Sequence, residues 1–391
     1  MKPLHVAFIL ESENGHVNPS LGIAAGLVEH GYRVSYAVRD KFAASVRAHG
    51  AEPLCYCPLD YRMSITPKSE ASERDGSLDG VGSTRHWNEL LQREVTEYEQ
   101  VEIDVALPQL ENLYLSDTPD LIIYDCRNLA GRILATKWGI PKIEHSPLMV
   151  GGQEEVTLEH SYDENLVIVS IPKFFQRHVD SLDTRFQFIG PLFCEKDIAQ
   201  PWKHCSGAEP IVLVSGPTAG IPSLDRFELA IEAFKGLPYR IILSVGDRLD
   251  PSLLGHLPEN FSVNQFSSHL ELLRHANLFV GHGGQASTLE AMYRGVPMLI
   301  LPPEGPLYDG IRPLYDSIAL RVTELGLGRY LRGSDVAPEK LARSTEFLLN
   351  DADTLRRAKA AQRMMIDNNS PGPAAQLIAG YLERARAPRV A

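Results

Sequence analysis

The chain has 391 residues, 44% of them hydrophobic and 23% charged, and a formal net charge of −12. That length suits two domains of ordinary size, and the acid excess argues against sequence-independent nucleic-acid binding, which relies on Lys and Arg at the phosphates. No apolar run approaches the ~18 residues of a membrane span. The N-terminus reads as a strand rather than a signal peptide. The five cysteines, of which Cys55 and Cys57 stand too close for an easy disulfide, read as reduced thiols. A cytoplasmic protein without a zinc site is therefore expected.

In chain order, Leu4–Leu10 is a short run rich in Val, Ile and Phe, the pattern of a buried strand. Asn18-Pro19-Ser20 precedes apolar Leu21, Ala24, Ala25 and Val28. This predicts a helix over Pro19–Glu29 with Asn18 as N-cap and Pro19 at its first position. His16 is then expected in a strand-to-helix loop at the carboxyl end of a strand, where open α/β sheets bind ligands. Gly31 ends the helix, Arg33–Val38 is a strand, and Lys41–Ala48 is a short helix closed by Gly50. Residues 58–86 are polar and read as a long loop. Glu89 to Leu115 is helical in pattern, with a kink or break at Pro108. Asp120–Asp125 is a strand, Leu129–Trp138 a helix, and Lys142–His145 and Val167–Ser170 are strands.

Residues 189–210 carry three prolines and no clear period, which marks a linker. After it the rhythm restarts. Strands are expected at Ile211–Ser215, Arg240–Val245, Ser262–Gln265, Leu278–Gly281 and Pro297–Leu301, and helices at Leu224–Phe234, Leu270–His275 and from Gln285, closed by Gly295. The chain from Pro338 onward is mostly helical in pattern. The domains read as 1–200, 201–370 and a C-terminal helix, 371–391, that packs back on the first domain. Two consecutive parallel α/β domains facing a cleft result. Pattern alone leaves dehydrogenases, epimerases, kinases and glycosyltransferases open.

The sharpest stretch is "ANLFVGHGGQASTLEAMYRGVPMLILPP", residues 276–303. A strand runs into His282-Gly283-Gly284, and a helix opens near Ser287-Thr288. Glycines let a backbone approach a ligand closely, and a helix N-terminus offers free N–H groups to a phosphate. Glu290 stands one turn in, where a carboxylate can accept ribose hydroxyls. A plain Gly-rich turn with an ordinary N-cap accounts for the same letters equally well.

"GHVNPSLGIAAGLVEHGYRVSYAV", "FIGPL" at 188–192, "HGGQASTLEAMYRGVPMLILP" and "ELGLGRYL" occur in this order. Together they resemble the UDP-glycosyltransferase superfamily, more narrowly the bacterial natural-product glycosyltransferases of macrolide and antibiotic type. The resemblance implies the GT-B fold, two Rossmann-like doubly wound domains around a central cleft. It implies transfer of a sugar from a nucleotide donor to a small-molecule hydroxyl, with inversion, no metal and no cofactor beyond the nucleotide-sugar co-substrate. His16 then resembles the catalytic base and Asp125 the acid that holds it. His282, Gly284, Ser287 and Thr288 resemble diphosphate contacts, Glu290 the ribose contact, and Thr218 a hydroxyl near the β-phosphate. The family's Trp-x-Pro-Gln is replaced by "QFSSHLELL", with Phe266 available to stack on the nucleobase. Its sugar-binding acid–Gln pair falls on Asp316-Ser317, with Asp309-Gly310 as the other candidate, and in both the Gln is absent. A UDP- or dTDP-linked donor is expected. Trp87, His145 and Met149 are expected to line an apolar acceptor pocket. Asp351 and Asp353 spell a metal motif of other glycosyltransferases but are expected to cap a helix. A partner protein that binds nucleotide sugar without catalysis, and an epimerase or hydrolase of the same fold, are the competing readings. The sequence leaves a homodimer open.

Overall fold

The computed structural model describes residues 2–58, 97–151, 166–193, 202, 207–216, 224–246, 249–265, 267–305, 308 and 312–387. The chain divides into two compact units. The first comprises Met1–Gly152, Thr157–Phe193 and Asn369–Ala391, and the second Gln153–Val156 and Cys194–Asn368.

In the first unit, β1 (His5–Ile9), β2 (Arg33–Val38), β3 (Glu52–Cys55), β4 (Leu121–Asp125), β5 (Lys142–Ser146), β6 (Val167–Val169) and β7 (Phe186–Phe188) form one parallel sheet in the order β3-β2-β1-β4-β5-β6-β7. In the second, β8 (Ile211–Ser215), β9 (Arg240–Ser244), β10 (Phe261–Asn264), β11 (Leu278–Gly281), β12 (Met298–Ile300) and β13 (Gly328–Tyr330) pair in parallel as β10-β9-β8-β11-β12-β13. Central strands such as β1 and β4 are buried along their whole length, because helices cover both faces of a parallel sheet. Strand order reverses once in each sheet, between β1 and β4 and between β8 and β11. Right-handed crossovers leave such a point toward opposite faces and open a crevice at the strand carboxyl ends. Among the described residues no helix is long and apolar enough to cross a membrane.

Several elements differ from expectation for local reasons. The first helix spans Asn14–Glu29 with Glu13 before it, so Asn18 is no N-cap and Pro19 lies inside. The Glu13 carbonyl accepts the N–H groups of His16 and Val17, both at 3.0 Å. Pro19 forfeits the bond to the Gly15 carbonyl, and burial of Val17, Leu21, Ile23, Ala24 and Leu27 around it outweighs that cost. The helix Glu97–Tyr114 likewise runs through Pro108 without ending. Ile103, Ala106, Leu107, Leu110 and Tyr114 are buried in one cluster on both sides of the proline, and burial at roughly 1.5–3 kcal/mol per large side chain outweighs the ~3 kcal/mol cost of an interior proline.

Residues 189–193, expected as linker, belong to the first unit. Leu192 is buried, and a Cβ on Gly22 would lie 2.4 Å from the Leu192 Cβ. Asn369 holds both Phe193 backbone groups, accepting its N–H at 2.9 Å and donating to its carbonyl at 2.8 Å. The helix Gly372–Arg386 buries Ala374, Ala375, Ile378 and Leu382 in the same core as Leu21 and Ala24 of Asn14–Glu29. The expected loop at 58–86 lies outside the described residues except for Pro58.

Candidate active site

Each unit carries candidate site residues at its own reversal point. In the first unit the chain leaves β1 through Glu11, Ser12 and Glu13, and His16 stands in the first helical turn rather than in a loop. β4 ends at Asp125. His16 Nδ1 lies 2.9 Å from Asp125 Oδ2, with His16 13% exposed and Asp125 fully buried. The other carboxylate oxygen accepts the Arg127 backbone N–H at 2.9 Å. Burial pushes the Asp125 carboxyl upward, but the His16 imidazole beside it, His145 and the Arg127 N–H outweigh that and hold it below the usual carboxylate value. An ionised Asp125 fixes the tautomer of His16 with the proton on Nδ1, which leaves Nε2 as a proton acceptor.

His145, opposite Asp125 in the β4–β5 register, is fully buried. Its Nε2 lies 2.7 Å from Ser170 Oγ, and burial lowers its pKa to about 4. It is thus a neutral imidazole within the sheet. Met149 is half-buried just beyond β5.

In the second unit β11 delivers His282, Gly283 and Gly284, followed by the helix Gln285–Arg294. Gly283 has φ +84°, and a Cβ there would meet Ile300 Cγ2 at 2.9 Å. Only glycine makes this turn without strain. His282 is buried, and burial, the Arg226 guanidinium and His269 lower its pKa to about 3. Its Nδ1 has no partner, and neither do the two amide atoms of Gln285 nor the hydroxyl of Thr288. Ser287 Oγ donates to the Gly284 carbonyl at 3.1 Å. Glu290 Oε2 lies 3.5 Å from His269 Nδ1. The other nitrogen of His269 sits 3.1 Å from both Ser215 Oγ and Ser244 Oγ, at the ends of β8 and β9. Ser268, where the family has Pro, accepts the Glu271 N–H as N-cap of His269–His275. Asp316 lies on the helix Arg312–Glu324, with Oδ2 3.0 Å from Arg332 Nη2.

Residues 230–384 match the family model "Erythromycin biosynthesis protein CIII-like, C-terminal domain". The chain is 31% identical to the NDP-glycosyltransferase YjiC of Bacillus subtilis over 422 aligned residues, covering 100% of both. It is 29% identical to the oleandomycin glycosyltransferase of Streptomyces antibioticus over 97% of this chain and 91% of that one. The crystal structure of the glycotransferase of kitacinnamycin superposes with a TM-score of 0.78 at 26% identity, covering 98% of this chain and 100% of that chain. The chain belongs to the UDP-glycosyltransferase superfamily. It is a glycosyltransferase of the macrolide and antibiotic type, with the GT-B fold.

Four residues singled out for this glycosyltransferase from its sequence, Trp87, Thr218, Phe266 and Asp309, lie outside the described residues. Asp351 caps the helix Ala352–Asp367, accepting from the Thr354 N–H at 3.2 Å and its hydroxyl at 2.5 Å, the role expected of it. Among the described residues no cluster of His, Cys, Asp and Glu could hold a metal ion. Sequence reasoning missed Gln285 and Arg226. The signal for Arg226 was present: a cation in the first turn of the helix Leu224–Phe234 opposes the helix dipole, so its placement calls for another reason.

Proposed function

We propose that this glycosyltransferase moves a sugar from a UDP- or dTDP-linked donor to a hydroxyl of a natural-product aglycone, with inversion and without a metal. The observation that carries the reading is the 2.9 Å contact between His16 Nδ1 and Asp125 Oδ2, with Nε2 left for an acceptor hydroxyl. The acceptor oxygen attacks the sugar C1 as its proton passes to His16 Nε2, and Asp125 stabilises the imidazolium that forms. The bond from C1 to the β-phosphate oxygen breaks, and its electron pair leaves with the diphosphate. Attack and departure on opposite faces of the ring invert the linkage.

The unpartnered donors at the start of Gln285–Arg294 support the diphosphate part of the reading, because anions settle at helix N-termini. His269, held by two serine hydroxyls, presents Glu290 for the ribose. The similarity to an oleandomycin glycosyltransferase supports a macrolide-like acceptor. The free thiols of Cys55, Cys57 and Cys126 support a cytoplasmic location.

The test is His16→Ala. Its kcat should fall about 10³-fold, within the range of general base catalysis, while the affinity for nucleoside diphosphate stays at the wild-type value. Transfer at the wild-type rate by this variant overturns the role of His16.

A further inference from the structure

Arg226 is a cation that lacks a counter-ion among the described residues. It stands in the first turn of Leu224–Phe234, the helix that follows β8. Its Nη1 donates to the carbonyl of Leu301, just past β12, at 2.5 Å. Its Nε is enclosed and has no partner. The charged state of Arg226 is coupled to the hydroxyls of Tyr308 and Tyr315 and to no Asp or Glu among the described residues. A guanidinium taken out of water is costly unless an anion meets it. Burial lowers its pKa only to about 10, so it remains charged at neutral pH.

Its surroundings are electropositive or neutral and lie on the carboxyl-end side of the second sheet. The positive charge of Arg226 is felt at His282, one of the two influences besides burial that keep that imidazole unprotonated. The Tyr315 ring meets the His282 ring edge-on, with centroids 5.6 Å apart. His282 Nδ1, the Gln285 amide and the Thr288 hydroxyl, all buried and unpartnered, belong to the same strand-to-helix turn. These groups supply no negative charge to balance the guanidinium. A structural arginine commonly pairs with a carboxylate, and among the described residues this half-buried one has none.

We propose that Arg226 binds the β-phosphate of the donor nucleotide and is the counter-ion of the leaving diphosphate. This rests on the reading of the second unit as the nucleotide-sugar site. When C1–O breaks, the electron pair and the new negative charge stay on a β-phosphate oxygen. A guanidinium with a free Nε–H is suited to that oxygen by charge and by geometry. The same contact strengthens as the bond breaks, so it acts on the rate as well as on affinity.

The experiment measures the affinities of UDP, UMP, TDP and TMP by titration calorimetry for wild type, Arg226→Met and Arg226→Gln, together with the unfolding temperature of each ligand-free protein. Gln keeps a donor for the Leu301 carbonyl and protects the fold. Both variants should bind the preferred diphosphate about 30-fold more weakly, as loss of a charge-assisted bond predicts, and the matching monophosphate less than about threefold more weakly. The unfolding temperature of ligand-free protein should stay level or rise, because an uncompensated charge has been removed. An unchanged ratio of diphosphate to monophosphate affinity overturns the assignment. So does a fall in ligand-free stability with that ratio intact, which marks Arg226 as structural. If wild type binds no nucleoside diphosphate, the donor-site reading itself fails.

Discussion

The two crevices are built on the same topological plan and filled in opposite ways. In the first unit His16 and Asp125 satisfy each other at 2.9 Å, and the second Asp125 oxygen takes a backbone N–H. In the second unit His282, Gln285, Thr288 and Arg226 each present a buried polar atom with no partner. Unmade hydrogen bonds in a low dielectric are expensive. A pair that is complete without ligand can be poised for proton transfer. A set of donors left open is complementary to something that arrives, and an anion is what it fits. The contrast is what the proposed function calls for, with proton transfer from a neutral acceptor assigned to one crevice and binding of a charged diphosphate to the other.

The largest effect that could break this comparison is Asp125→Asn. The amide cannot stabilise an imidazolium and can hydrogen-bond His16 in the wrong tautomer. We expect kcat to fall about 10³-fold with nucleoside diphosphate affinity unchanged. Steady-state kinetics alongside calorimetry checks this. A parallel loss of diphosphate affinity would mean that the two crevices do not divide the work.

A smaller effect sharpens the other side. Thr288 is fully buried with its hydroxyl unpartnered. Thr288→Val keeps the shape and removes that hydroxyl. Diphosphate affinity should drop about tenfold, the value of one hydrogen bond to a charged group. Ligand-free stability should rise slightly, because no native bond is lost. Calorimetry and thermal unfolding give both numbers, and a stability loss without an affinity loss would make Thr288 a core residue only.

Much of this was legible in the sequence because strands and turns there are local. The helix Leu129–Trp138 is found where its pattern predicts it, with Asn128 accepting the Gly131 N–H at its start and Gly139 in a left-handed conformation at its end. His16 and Asp125 were legible as candidates through family motifs, but their contact spans 109 positions and needs the β1–β4 pairing to exist. The misread elements are those where tertiary packing overrides a local signal. Pro19 and Pro108 sit inside helices because packing on both sides holds the backbone. β3, β7 and β13 are short, at four, three and three residues, too short for a period to show. Arg226 was half legible: a cation in the first turn of Leu224–Phe234 is a signal in the sequence, but its lack of a carboxylate partner shows only in the fold.

Glu102 tests whether an unpartnered charge always calls for a ligand. It lies in Glu97–Tyr114, buried, with neither carboxyl oxygen hydrogen-bonded. Glu11, Glu99, Asp125 and Tyr56 face it, with Arg127 as the opposing cation. Burial first, and then Glu11 and Glu99, push its pKa well above 4.5. An acid in this position can discharge by keeping its proton, whereas a guanidinium at about 10 cannot discharge at neutral pH. Glu102 therefore needs no partner and Arg226 does. The linkage has a definite sign. The unfolded carboxyl releases its proton near its ordinary value while the folded one retains it, so stability falls as pH rises above ~4.5. Glu102→Gln cannot ionise in either state. It should raise the unfolding temperature by about 3 °C at pH 8, on the scale of ~1 kcal/mol for a domain of this size, and leave it unchanged at pH 4. Thermal unfolding at the two pH values measures this. A destabilised variant at pH 8 would show that Glu102 is ionised and paired there, and the distinction drawn between the two orphan charges would fail.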